Sequence, residues 1–138
     1  MLTRLIDAGV PRPVLASGLI WALWHVPLIV AGSSPVVSAM LFMVSVTSFG
    51  FVFARMRLET GSIWPAIALH GAWNTIIQGA FDPATTGAGA TLWVGEAGIF
   101  TALTLVVAAV IFSRGRWTMR RVPESRQETG AARPVPLT

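Results

Sequence analysis

Cysteine and lysine are absent from this 138-residue chain, and only two histidines occur. Without cysteine there is neither a disulfide framework nor a thiolate metal site. Charge is scarce at 12% of residues, against about 25% in ordinary soluble domains. Hydrophobic residues make up 54% and the mean hydropathy is +0.67. A single soluble core of this length cannot bury that much apolar surface. Charge is missing altogether from residues 13–54, 60–81 and 97–113. No secretory signal is expected at residues 1–13, which contain no apolar core and are followed by no small-residue cleavage pattern.

A helix needs about 20 mainly apolar residues to cross roughly 30 Å of hydrocarbon. The first charge-free stretch is long enough for two crossings, and Gly32-Ser33-Ser34-Pro35 breaks it near its middle. The pattern predicts spans near residues 14–31, 36–54, 62–79 and 92–112. It describes an all-α, polytopic membrane helical bundle of about four transmembrane helices. Residues 1–13 form a cytoplasmic lead-in, 14–112 the transmembrane region, and 113–138 a basic, disordered tail rich in Arg, Pro and Gly.

All ten basic residues are arginine, at Arg4, Arg12, Arg55, Arg57 and in the tail from Arg114 onward. Those places fall on one side of a four-span chain, and the other two connections carry no Arg. The positive-inside rule then puts both termini in the cytoplasm of a multi-pass cell-membrane protein. The bilayer is the partner this charge implies, with Trp117 as an interfacial anchor. A nucleic-acid module would show a continuous basic face instead, so no nucleic-acid partner is expected.

Both histidines lie inside charge-free stretches, where an ionisable side chain is costly and marks a functional site by default. At 1.5 Å per residue, His25 stands about 16 Å along the first span and His70 about 12 Å along the third. Both spans run the same way, so the two rings reach similar depth. His70 and Asn74 are one helical turn apart and share a face. Trp21 is one turn before His25, and Pro27 frees a carbonyl just beyond it. The plainer reading of a single intramembrane His is a helix-to-helix hydrogen bond of around 1 kcal/mol. Gly71 and Ala72 read as packing residues, Trp64, Trp73 and Trp93 as interfacial or packing residues, and Phe42, Phe49, Phe51 and Phe53 as bulk. Glu59, Asp82 and Glu96 fall at span ends, where solvation is the default.

Trp21-x-x-x-His25 followed by Pro27, then Thr60-Gly61-Ser62-Ile63-Trp64-Pro65 leading into His70-x-x-x-Asn74, resembles the CPBP family. This group contains the CAAX prenyl proteases and the bacteriocin-processing (Abi) intramembrane proteases. The resemblance covers roughly residues 1–78, with Trp21 where the family commonly has Phe. It implies a helical bundle that hydrolyses a peptide bond of a peptide or protein substrate inside the membrane. Its catalytic set carries over to His25, His70 and Asn74. These residues either hold a divalent metal such as zinc or stabilise the oxyanion, while a Glu activates water.

The family's EExxxR glutamates are absent from the chain. The resemblance puts them on a helix before Met1, as a misassigned start, a fragment or an inactive derivative would leave it. Glu59 and Glu96 both follow the first His motif and lack the family's context. Amide hydrolysis needs an activated water and a stabilised oxyanion. Weak or absent hydrolysis is therefore expected from this polypeptide alone, although a neutral His25 is available as a base. Two other classes compete: a non-enzymatic membrane scaffold or immunity protein, and an electron carrier with His25 and His70 as axial haem ligands.

Overall fold

The computed structural model describes residues 1–32 and 35–114. Ser33, Ser34 and the predicted basic tail beyond Arg114, with its Trp117 anchor, lie outside the described residues. Within them all regular structure is helical. A short α1 (Leu2–Asp7) precedes α2 (Pro13–Trp24) and α3 (Val26–Ala31). Pro27 has no N–H to bond back to the preceding turn, and the two helices part at His25. The His25 N–H bonds the Ala22 carbonyl at 2.9 Å, three residues back rather than four. Together residues Pro13–Ala31 remain long and apolar enough to cross a membrane.

The next helix, α4 (Val36–Thr60), also has the length and apolarity to cross. It runs past the expected end at residue 54 because Arg55 and Glu59 pair one turn apart at 2.6 Å. Gly61 ends it in a left-handed conformation, φ 66°. Thr60 Oγ1 caps the turn by donating to the Met56 carbonyl at 2.7 Å, and Ser62 Oγ accepts the Trp64 N–H at 3.3 Å. With Pro65 in the first turn, these contacts start α5 (Trp64–Trp73).

From Asn74 to Phe81, inside the third expected span, the chain winds as a π-helix, followed by α6 (Asp82–Ala84) and α7 (Ala90–Trp93). The fourth expected span does not start at residue 92. Residues 94–98 form a loop with Gly95 at φ +87°, and α8 (Ile99–Ser113) begins after it. At 15 residues, α8 is shorter than the roughly 20 that span hydrocarbon unaided.

The central helix is α4, packed between α2 and α8. It meets α2 at glycine: a Cβ on Gly50 would stand 3.0 Å from the Gly18 Cα. Such small-residue contacts let membrane helices approach closely. Phe49, Val52 and Leu105 form the buried cluster, with Trp21, Phe53 and Trp73 packed on it. Leu23, Trp24, Leu28 and Val30 point outward. An exposed apolar surface of that extent suits lipid rather than water.

Candidate active site

The structure brings His25, His70 and Asn74 to one small cavity of about 30 Å³. His25 sits at the break between α2 and α3, where its Nδ1–H donates to the Trp21 carbonyl at 2.9 Å. A carbonyl only accepts, so the neutral ring carries its proton on Nδ1 and keeps the Nε2 lone pair free. The Trp21 indole stands beside both histidines, with ring centroids 5.5 Å from each. His70 also stacks on Phe53, centroids 5.8 Å apart and 11° from parallel. Aromatic rings thus hold both imidazoles. Trp21, expected as a flanking ring, and Phe49, expected as bulk, line the cavity, while Phe53 backs His70 from the neighbouring cavity.

Asn74 is exposed and stands at the cavity's rim. The one-turn spacing from His70 holds up to Asn74, where the winding changes. Trp73 Nε1–H donates to Glu96 Oε1 at 3.1 Å, and Gln78 Nε2 donates to the same oxygen at 2.6 Å. In an α-helix, residues five apart point about 140° from one another. A π-helix closes its bonds at i→i+5, which carries Trp73 and Gln78 to the same side.

Glu96 corrects the sequence reading. It stands at a span end as expected, yet its side chain turns inward and lines the cavity with both histidines. The loop under it is built for this. Asp82 accepts the Glu96 backbone N–H at 3.2 Å, and Thr101 Oγ1 donates to the Gly95 carbonyl at 2.6 Å. A Cβ on Gly95 would stand 2.6 Å from Asp82 Oδ1, so only glycine lets the loop pass so close. Burial pushes the Asp82 carboxyl above its ordinary value, partly offset by the Glu96 N–H. No local pattern around Glu96 announces these contacts, since its partners are 14 to 23 residues away. Glu59, by contrast, is exposed and paired with Arg55.

The metal expectation meets a donor set that falls short. Among the described residues no group of three or more His, Cys, Asp or Glu is arranged to hold an ion, whereas catalytic zinc keeps three protein ligands. The haem reading fails on space, because a macrocycle cannot enter a cavity of about 30 Å³ with Trp21 against both rings.

Trp21 also walls a second, larger cavity of about 220 Å³, lined by Leu2, Ser17, Phe53, Arg57 and Ile63 among others. Arg57 Nη1 is buried there without a hydrogen-bond partner among the described residues.

No curated protein and no solved structure matches the chain. The family of type II CAAX prenyl endopeptidases, Rce1-like, matches residues 1–76, a stretch that holds His25, His70 and Asn74 and stops short of Glu96. On that match over more than half its length, the chain belongs to the Rce1-like family of type II CAAX prenyl endopeptidases.

Proposed function

We propose that this chain is a multi-pass intramembrane endopeptidase, with both termini cytoplasmic, that hydrolyses a peptide bond near the end of a prenylated CAAX-type substrate. One observation carries the reading: His25, at the break between α2 and α3, lines one cavity with His70 of α5 and Asn74 at the start of the π-helix. That cavity has room for a single water. His25 accepts a hydrogen of this water at Nε2 and orients it toward the scissile carbonyl. The Asn74 amide and the His70 ring N–H donate to the oxyanion that forms, the stabilisation on which acyl transfer most depends. The neighbouring cavity seats the substrate. Its mainly apolar wall suits a lipidated peptide, and Arg57 suits the terminal carboxylate.

The test is cleavage of a farnesylated CAAX peptide in proteoliposomes by the chain extended to carry an EExxxR helix ahead of residue 1, the form called wild type below. Wild type is expected to release the terminal tripeptide. His70→Ala and Asn74→Ala are each expected to lose about 10²–10³-fold in kcat while still resisting alkaline extraction from the membrane. A wild type without cleavage, or a His70→Ala variant that matches it, overturns the reading. Topology has its own check, since the cysteine-free chain makes any introduced cysteine a unique label. Cysteine at Thr86 is expected to react from outside, and at Met1 only from the cytoplasmic side.

A further inference from the structure

The winding changes from α to π at Asn74, inside the His-and-Asn motif, and the cause lies outside the segment. π-Helices hold roughly 1% of residues or fewer, mostly as single-turn bulges. This one runs for eight residues, Asn74–Phe81. Where the winding changes, the Gly71 carbonyl takes the Thr75 hydroxyl at 2.9 Å as well as a share of the Asn74 N–H. Those local bonds accommodate the change without requiring it. Glu96 requires it. Its Oε1 accepts from Trp73 Nε1 at 3.1 Å and from Gln78 Nε2 at 2.6 Å, one donor for each lone pair of a carboxylate oxygen. Continued α-winding would turn those two side chains about 140° apart, out of reach of a single oxygen.

Glu96 is itself well fixed. Asp82 accepts its N–H at 3.2 Å, and a Cβ on Gly98 would stand 2.6 Å from the Val94 carbonyl, so the loop around Glu96 is tightly closed. Its two bonds grip the helix on both sides of Asn74, because Trp73 precedes that residue directly and Gln78 follows it by four. The Trp73 ring also packs on Phe49, with centroids 5.0 Å apart. One turn earlier His70 is held by Trp21 and Phe53. Rotation of the helix at Asn74 is therefore set by aromatic rings on one side and by Glu96 on the other.

We infer that Glu96 is a positioning residue: by bonding Trp73 and Gln78 it holds the π-winding and sets the Asn74 amide at the rim of the cavity that His25 and His70 share. The inference rests on the endopeptidase reading, in which that amide donates to the oxyanion, and adds what keeps the amide in place. Such donors are effective because they are fixed before the charge develops. In this role Glu96 touches no reacting atom and moves no proton. An oxygen that accepts two hydrogen bonds is all that the role needs.

In the proteoliposome assay Glu96→Leu, which accepts nothing, is expected to lose about 10²-fold in kcat, the scale of one oxyanion donor, with KM within about threefold of wild type. Glu96→Gln keeps an amide oxygen with two lone pairs and is expected to rescue kcat to within about fivefold of wild type. Added to Asn74→Ala, Glu96→Leu is expected to cost less than about threefold more, because residues that act as a unit are not additive. A second measurement is independent of turnover. Structures in a lipid mesophase are expected to keep π-winding over residues 74–81 in wild type and Glu96→Gln, and to show α-winding in Glu96→Leu. A Glu96→Leu variant that retains the π-winding or cleaves like wild type overturns the inference. So does a Glu96→Gln variant as slow as Glu96→Leu, or a loss that multiplies that of Asn74→Ala, and each of these leaves the His70 and Asn74 reading standing. If wild type cleaves nothing while the winding follows Glu96 as expected, the endopeptidase reading falls and the hold of Glu96 on the winding stands.

Discussion

The Nδ1–H of His25 and the backbone carbonyl of Trp21 are 2.9 Å apart, and this bond decides which imidazole nitrogen keeps its lone pair. A hydrogen bond at one ring nitrogen sets the tautomer at the other. His25→Asn keeps a short N–H donor for the Trp21 carbonyl and removes the ring's second nitrogen. It is expected to insert normally and to lose at least about 10²-fold in kcat, measured by peptide cleavage. Activity within threefold of wild type would remove His25 from the chemistry.

Arg57 Nη1 is buried in the cavity on the other side of Trp21, without a hydrogen-bond partner among the described residues. If it reads the substrate's terminal carboxylate, Arg57→Gln raises KM about tenfold, or 1.4 kcal/mol, with kcat unchanged. A substrate ending in a carboxamide should bind wild type as weakly as the acid binds the variant. Equal KM for acid and carboxamide on wild type would refute this role.

The loop that carries Glu96 depends on Gly95. Its φ of +87° and the 2.6 Å from its would-be Cβ to Asp82 Oδ1 mean that Gly95→Ala must break the Asp82 contact or shift the loop. A left-handed alanine alone costs about 1–2 kcal/mol. The variant is expected to melt lower in detergent and to lose cleavage together with stability.

Asp82 links the same loop to pH. Desolvation raises its folded pKa above 3.8, opposed by the Glu96 N–H. The proton therefore binds more tightly in the folded state. The stability this contributes is fully present below the unfolded value and is lost as pH rises through the raised one. Asp82→Asn, uncharged throughout and still able to accept the Glu96 N–H, removes that dependence. The Tm of wild type minus that of the variant is expected to increase on acidification from about pH 7 to about pH 3. A difference that stays flat or falls would contradict the sign.

Close packing of α2 on α4 sets the position of Trp21. Gly50→Leu places a side chain where a Cβ already meets the Gly18 Cα at 3.0 Å. Overpacking of this kind costs about 1–3 kcal/mol, and the separation moves Trp21 from both histidines. Unfolding in detergent should show the loss, and a Gly50→Ala variant should show less of it.

Charge-free runs in the sequence determined an all-helical, apolar chain, because unpaired backbone in hydrocarbon leaves few other solutions. Local spacing also put His70 and Asn74 on one helix face, and similar depth allowed His25 to reach the same pocket. These properties depend on neighbours within one turn, or on the length of a run. Tertiary structure alone decided the rest. The π-winding after Trp73 exists where Glu96 takes donors from Trp73 and Gln78, 23 and 18 residues away. The late start of α8 follows from a glycine loop held against Asp82. Glu96 reads from its neighbours as a solvated span end, and only the loop's hydrogen bonds turn it inward. A carboxylate's partners in three dimensions set its role, and no local period in the sequence encodes them.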